Sequence, residues 1–170
     1  MELVSIIMPA YNCSRFIREA IDSVLAQTYT AWELLIVDDC STDDTAAIIA
    51  SYQDERIHYF RNEQNSGAAL SRNKALREAK GKYIAFLDAD DSWMPEKIEK
   101  QVAFMEQNGY AFTYTAFHRT DKPLRISGPR HITKMGMYAF CWPACPTVMY
   151  NREKIGLIQI TDLRKNNDYS

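Results

Sequence analysis

The sequence lacks long apolar runs, and none of its hydrophobic segments reaches the length needed to cross a bilayer. The N-terminus also lacks the charged leader and apolar core of a signal peptide. These two absences predict a soluble, cytoplasmic protein. They leave open a peripheral association with the inner face of the membrane.

An excess of charge of one sign is missing as well. The chain has 20 Lys and Arg against 22 Asp and Glu, for a net charge of −2, which gives no electrostatic case for nucleic acid as a partner. The four cysteines form no C-x-x-C pair and show no metal-ligand spacing with the three histidines, so reduced thiols are the simplest interpretation. An anionic substrate would therefore have to be met by a few local cations and a metal ion.

Internal repeats and low-complexity segments are absent, and 170 residues with 46% hydrophobic side chains are enough for one domain with a real core. Apolar runs typical of strands alternate with segments of helical periodicity. Such alternation predicts an α/β fold with right-handed βαβ units and a mostly parallel sheet. The predicted strands are 3–8, 32–37, 56–60, 83–87 and 111–117, the helices lie between them, and a last strand at 147–150 precedes a short helix near Glu153.

Beyond about residue 118 the pattern weakens, and no linker marks a second domain. We interpret residues 1–117 as the ligand-binding part of a single domain. Residues 118–170 are then an elaboration of the same sheet. The segment 140–149, with Trp142, is expected to line the second-substrate side, although a buried hydrophobic anchor is the alternative for Trp142.

A cluster of carboxylates follows the strand at 83–87. Asp88, Asp90 and Asp91 stand close together, and like charges at short range need a cation to neutralise them. Strand-like alternation would direct Asp88 and Asp90 the same way, and Mg²⁺ takes one or two carboxylates together with substrate phosphates. The alternative is a solvated turn whose aspartates cap the helix near Pro95.

Distinctive side chains follow two other strands, and in open α/β sheets ligands bind beyond the carboxyl ends of strands. Tyr11 follows the first strand, Asp39 follows the second, and Arg72 lies in a helix near the same rim. Together with the aspartates they describe a site for a nucleoside diphosphate. Each has an alternative: Tyr11 as a surface aromatic, Asp39 as a helix cap, and Arg72 in an ion pair with Glu63 or Glu78. Asp38, which would point the other way, is expected to be structural.

Four stretches of the chain together resemble the family 2 glycosyltransferases, an inverting group with the GT-A nucleotide-sugar fold. They cover about two-thirds of the chain, in the family's order: VSIIMPAYN at 4–12, SVLAQTYTAWELLIVDDCSTD at 23–43, NSGAALSRNKAL at 65–76 and AKGKYIAFLDADDSWMPEKIEKQ at 79–101.

The resemblance implies a role for each matching residue. By it Tyr11 stacks on the base, Pro9 and Asn12 shape the pocket, Asp39 hydrogen-bonds the base, Arg72 faces the diphosphate, Asp88 meets the ribose or the metal, and Asp90 holds Mg²⁺ or Mn²⁺. Asp91 is then expected to cap the following helix. Cys40 stands where many relatives have glycine, a change expected to leave binding intact.

The resemblance also implies a catalytic base, because inverting transfer needs a carboxylate to take the proton from the acceptor hydroxyl. The matching residue is Asp168, although Asn167 replaces the acid that usually precedes it. A helix cap or a terminal residue without a role is the alternative for Asp168. Since the chain ends at Ser170, we expect a truncated enzyme that binds nucleotide and transfers sugar weakly.

The leading hypothesis is a metal-dependent glycosyltransferase that moves sugar from a UDP- or dTDP-type donor, with inversion, to a saccharide or lipid-linked saccharide acceptor in cell-envelope polysaccharide synthesis. One alternative is a catalytically weak nucleotide-sugar-binding fragment. Another is a sugar nucleotidyltransferase, but that class expects a glycine-rich loop with a basic residue after the first strand. The segment from Pro9 to Asn12 lacks such a loop.

Overall fold

The computed structural model describes residues 1–119, 124–129 and 143–159. Its strands are β1 (Val4–Ala10), β2 (Trp32–Asp38), β3 (Ile57–Arg61), β4 (Tyr83–Phe86), β5 (Phe112–Tyr114), β6 (Phe117–Arg119), β7 (Leu124–Ile126) and β8 (Val148–Asn151). Its helices are α1 (Ile17–Leu25), α2 (Thr45–Ala50), α3 (Ala68–Glu78), α4 (Lys97–Asn108) and α5 (Arg152–Ile155), with a 3-10 turn at Cys145–Thr147.

Six strands form the main sheet, in the order β3-β2-β1-β4-β8-β5. The first four run parallel, whereas β8 pairs antiparallel with both β4 and β5. This mostly parallel sheet confirms the predicted α/β class. The parallel strands direct their carboxyl ends to one edge, where β1, β2 and β4 run into the loops that carry the predicted site residues.

The helices cover both faces of the sheet, which explains why β1 and β2 are nearly continuous apolar runs. On one face, α1 and α4 pack against alternate residues of β1 such as Ile6 and Met8. On the other face, α3 packs its Ala75 and Leu76 against Ile7. Among the described residues, no helix is long and apolar enough to cross a membrane.

Several details differ from the sequence-based expectation. The predicted strand at 111–117 is interrupted: β5 joins the main sheet, and β6 pairs with β7 in a separate two-stranded sheet. Serine is a favoured N-cap residue, which makes Ser14 a candidate cap for the first helix, but α1 begins at Ile17 with Phe16 in the cap position. The apolar spacing of α4 would place Phe104 on its buried face, but Phe104 is 50% exposed, because the buried stripe of that helix runs through Ile98, Val102 and Met105.

The amino ends of the strands are fastened by a buried carboxylate, Glu33. One of its oxygens accepts hydrogen bonds from Ser5 Oγ at 2.6 Å and from the backbone N–H of Lys80 at 2.7 Å. Ser5 Oγ in turn accepts from the backbone N–H of Gly81 at 2.7 Å. A Cβ at Gly81 would lie 2.6 Å from the backbone nitrogen of Ser5, so only glycine fits this close approach of β1 and β4.

Candidate nucleotide and metal site

A cleft of about 420 Å³ opens at the carboxyl edge of the parallel strands. Its walls bring together residues that are far apart in the sequence. They include all the predicted binding and metal residues of the first 119 positions: Pro9, Tyr11, Asn12, Asp39, Arg72, Asp88 and Asp90. The structure thus collects these side chains in one place, while their individual roles stay predictions.

The two adjacent aspartates at the end of β2, Asp38 and Asp39, lie in different surroundings. Asp38 is fully buried and accepts hydrogen bonds from the backbone N–H of Ser41 at 2.8 Å and from Tyr59 Oη at 2.9 Å. Burial, together with this contact to Asp38, raises the pKa of Tyr59 to about 12. Asp38 is therefore structural, as predicted, and Asp39 is the residue that faces the cleft.

Asp39 is held by three N–H donors from the β3–α3 connection. Its Oδ1 accepts from Asn62 Nδ2 at 2.7 Å and from the backbone N–H of Ser66 at 2.9 Å. Its Oδ2 accepts from the backbone N–H of Gly67 at 2.7 Å. Gly67 has a φ of 85°, a conformation that favours glycine. Asp39 does not cap the next helix, because α2 begins at Thr45 with Asp44 in the cap position.

The loop after β1 forms the neighbouring wall of the cleft. The ring of Tyr11 is 52% exposed, free to meet a flat ligand. Asn12 has a φ of 46°, and its Oδ1 accepts from the backbone N–H of Thr42 at 2.8 Å. The backbone N–H of Asn12 donates to Ser41 Oγ at 3.0 Å, so the loops after β1 and β2 are fastened together.

Arg72 and Asp88 form an ion pair across the floor of the cleft. Arg72 Nη2 lies 2.6 Å from Asp88 Oδ1, with the Arg72 side chain only 14% exposed. The partner is thus Asp88, not the Glu63 or Glu78 considered from sequence. Arg72 Nε is buried and has no hydrogen-bond partner among the residues that the structure describes, so its donor is unsatisfied there.

The rest of the acidic cluster lies on the loop after β4. Asp90 is exposed at the cleft, and the backbone N–H of Asp91 donates to Asp88 O at 3.1 Å. Asp91 is exposed to solvent, but partial desolvation of its carboxyl group, with Asp90 and Asp88 nearby, raises its pKa to about 6. The prediction that Asp91 caps the next helix is wrong, because α4 begins only at Lys97 with Glu96 in the cap position.

The carboxylates at the cleft fit a divalent cation that shares its coordination sphere with a ligand. In the part of the chain that the structure describes, no group of three or more His, Cys, Asp or Glu side chains is arranged to hold a metal. Asp88 has one oxygen bound to Arg72, which leaves its other oxygen and the Asp90 carboxylate as candidate ligands. One or two carboxylates completed by phosphate oxygens is the arrangement that Mg²⁺ prefers.

The later part of the chain reaches this site through the 3-10 turn at Cys145–Thr147. Trp93 Nε1, three residues after Asp90, donates to Pro146 O at 2.8 Å, and Gln101 Nε2 donates to Thr147 O at 3.1 Å. Burial raises the pKa of the Cys145 thiol to about 12, and the neighbouring Asp88 acts in the same direction. A neutral thiol thus stands beside the Arg72–Asp88 pair. Sequence reasoning missed it because cysteine spacing carried no signal.

Two other contributions were not predicted from sequence. Phe16 lines the cleft, and Asn62 orients Asp39. The Asn65-Ser66-Gly67 run did signal a helix start, but its backbone contacts with Asp39 need the tertiary structure. The predicted catalytic base Asp168 and Trp142 lie outside the described residues.

A family model described as glycosyl transferase family 2 matches residues 5–161. A "Putative teichuronic acid biosynthesis glycosyltransferase" of Bacillus subtilis is 44% identical over 98% of this chain and 69% of its own length. A UDP-Glc:alpha-D-GlcNAc-diphosphoundecaprenol beta-1,3-glucosyltransferase of Escherichia coli is 43% identical over 100% of this chain and 68% of its own.

Solved structures agree on the fold. The crystal structure of S. aureus TarS 1-349 in complex with UDP superposes with a TM-score of 0.74 at 26% identity, covering 89% of this chain and 47% of that one. A mannosyltransferase from Pyrobaculum calidifontis, solved with GDP-Man and Mn²⁺, has a TM-score of 0.68 at 20% identity, covers 88% of this chain and 44% of that one, and supports the fold alone. The fold is GT-A, and the chain belongs to glycosyl transferase family 2.

Proposed function

We propose that this glycosyltransferase moves a sugar, with inversion, from a UDP- or dTDP-type donor to a hydroxyl of a saccharide acceptor in cell-envelope polysaccharide synthesis. The observation that carries the proposal is the sequence of groups along one cleft: an exposed aromatic ring at Tyr11, an anchored carboxylate at Asp39, and the Arg72–Asp88 pair beside Asp90. These groups suit the base, the diphosphate and a bound cation of one ligand.

The preference for uracil or thymine rests on Asp39. An ionised carboxylate offers about four acceptor positions, and protein N–H groups use three of them. The one acceptor position left on the Asp39 carboxylate could accept a hydrogen bond from the single ring N–H of uracil or thymine. Cytosine would present an acceptor at the same ring position, and two acceptors repel each other.

The diphosphate and the cation are assigned to the other end of the cleft. Asp90 and the free oxygen of Asp88 would hold Mg²⁺ or Mn²⁺, and Arg72 Nε would donate to a phosphate oxygen. A cation there would stabilise negative charge on the departing diphosphate. Support comes from the carboxylates of the described residues, which are too few at the cleft to hold a metal without a ligand's oxygens.

Inversion and proton removal are assigned to Asp168 by the family resemblance alone. Comparing sugar transfer and donor hydrolysis between the unchanged chain and Asp168→Asn tests this assignment. Loss of transfer with unchanged UDP affinity is expected for a base. Equal turnover in both proteins would exclude Asp168 from that role, and no turnover in either would favour a binding fragment.

The acceptor is proposed to be a lipid-linked saccharide at the inner face of the membrane. The support is the E. coli relative, whose name specifies a diphosphoundecaprenol-linked GlcNAc acceptor. Sedimentation with vesicles that carry an undecaprenyl-diphosphate saccharide would detect such an association. Equal sedimentation with plain vesicles would contradict recognition of this acceptor.

Titration calorimetry with UDP, in the presence and absence of Mn²⁺, tests the donor site. We expect Mn²⁺ to strengthen UDP binding at least tenfold, and Asp90→Ala to abolish that gain while leaving metal-free binding unchanged. Glu99→Ala, on the exposed surface of α4, is the control. Binding that ignores Mn²⁺, or CDP binding as well as UDP, would contradict the proposal.

A further inference from the structure

We propose that Phe16 is a second aromatic contact for the nucleoside half of the donor, in addition to Tyr11. This inference rests on the proposed function, because it assigns a further binding residue to the same cleft. None of the sequence motifs of the site includes Phe16, and only its position in the folded chain draws attention to it.

Phe16 stands between the two loops that form the ends of the cleft. Its backbone N–H donates to Cys13 O at 2.9 Å, which fixes it to the loop that carries Tyr11. One turn further along, Glu19 Oε1 accepts from Ser92 Oγ at 3.2 Å, which places the start of α1 beside the loop that carries Asp90. The Phe16 side chain lines the cleft from this position.

The burial pattern of α1 separates Phe16 from the protein core. The helix buries Ile17, Ala20 and Ile21 completely, whereas Phe16 remains 44% exposed. A phenyl ring half in water at the wall of a ligand cleft gains from being covered, since apolar area removed from water is stabilising. Tyr11, at 52% exposure in the same cleft, is in the same condition. The cleft therefore presents two uncovered rings to one ligand.

The charged side chain of Arg15 contacts the Phe16 ring. The guanidinium carbon of Arg15 lies 5.4 Å from the centre of the Phe16 ring, within the range of a cation–π contact. A phenyl ring has no hydrogen-bonding group, so it cannot bind phosphate. Its chemical match in a nucleotide is the flat base or the apolar face of the ribose. Phe16 is thus assigned to the nucleoside and not to the diphosphate.

Calorimetry with two ligands tests the assignment: UDP with Mn²⁺, and inorganic diphosphate with Mn²⁺. Phe16→Ala removes one ring–base contact, and we expect it to weaken UDP binding roughly 5- to 100-fold. Diphosphate affinity should stay within twofold, and Phe16→Tyr should bind UDP like the unchanged protein. Phe104→Ala is the matched control, because Phe104 is 50% exposed, close to the 44% of Phe16, and lies on α4 outside the cleft.

Phe16→Leu keeps apolar volume without the ring, and it replaces the alanine variant if that variant melts at a lower temperature. UDP affinity unchanged in both variants, while Tyr11→Ala and Asp39→Ala weaken it, would overturn the role of Phe16 and leave the proposed function intact. Equal loss of UDP and diphosphate binding would also overturn it, since the effect would then be structural. Failure of the unchanged protein to bind UDP would overturn the proposed function itself, and this inference with it.

Discussion

Cys40 shows how one backbone angle explains a residue preference. Its φ of 64° lies in the left-handed region, where a side chain costs about 1–2 kcal/mol and glycine costs nothing. The glycine that the family resemblance implies at this position would avoid that cost. In this chain the Cys40 thiol donates to Asn62 O at 2.9 Å, a contact with the residue that orients Asp39. Cysteine thus keeps a strained angle and adds a weak hydrogen bond beside the site.

Replacing Cys40 with glycine and with alanine separates the two effects. Both variants lose the thiol contact, but only glycine relieves the strained angle. We expect Cys40→Gly to exceed Cys40→Ala in free energy of unfolding by about 1 kcal/mol, measured by urea titration. An alanine variant as stable as the glycine variant would show that the left-handed angle is not maintained.

Lys97 is the residue at which stability should depend most visibly on pH. Its side-chain nitrogen is buried over the ring of Trp93, 3.8 Å from the ring centre, and has no hydrogen-bond partner within residues 1–119, 124–129 and 143–159. Burial lowers the pKa of Lys97 to about 7. Between pH 7 and the usual lysine value, the unfolded chain therefore binds a proton that the folded chain does not, so stability rises with pH across that interval.

Lys97→Met removes this titration while keeping an apolar chain over Trp93. We expect the free energy of unfolding to rise between pH 7 and 9.5 in the unchanged protein and to rise less in Lys97→Met. Lys100→Met is the control, because Lys100 lies on the same helix with an exposed side chain. Identical pH slopes in the unchanged protein and Lys97→Met would show that the folded chain keeps Lys97 protonated.

At the scale of elements, the opposite ends of the sheet serve different purposes. The carboxyl ends of β1, β2 and β4 carry the cleft, whereas the amino ends are fastened by Glu33, which joins β1, β2 and the turn before β4. Because these contacts are buried and charge-assisted, their loss leaves donors unsatisfied.

Glu33→Ala is expected to lower the free energy of unfolding by about 1–3 kcal/mol, because Ser5 and the Lys80 N–H lose their acceptor. UDP affinity should stay unchanged, since the substitution lies at the far end of the strands. Urea unfolding and calorimetry on the same preparation measure both quantities. A variant that keeps its stability and loses UDP binding would contradict this separation of the two ends.

The sequence predicted strands and helices correctly where the sheet or helix buries one or both of its faces. Strands β1, β2 and β4 were predicted because their continuous apolar runs, such as 32–37, bury nearly all their residues, whereas β3 is a half-exposed edge strand. The interval 111–117 misled because β5 and β6 are short, and the break between them follows pairing with β8 and β7, which local sequence does not encode. The starts of α1 and α2 have little local signal, because neither helix begins with a side-chain cap hydrogen bond.

At the scale of the whole molecule, the family motifs and the strand-end rule together located the cleft, since Tyr11, Asp39, Arg72 and Asp88 come to the same edge. What the sequence could not supply were contacts between distant segments. The pairing of Arg72 with Asp88, the orientation of Asp39 by Asn62, and the position of Phe16 depend on how the loops meet. Local sequence patterns do not specify such contacts between distant loops.

The sheet order predicts when the sheet can close during synthesis. Strand β5 has β8 as its only hydrogen-bonded neighbour among the described strands, although more than thirty residues separate them in the chain. During synthesis β5 is therefore expected to leave the ribosome before its partner exists, and the edge of β4, which is made earlier, waits for β8 longer still. Unpaired edges are where nascent chains associate wrongly. We therefore expect β8 to pair last and to complete a sheet whose parallel strands, which carry the cleft, have already been synthesised.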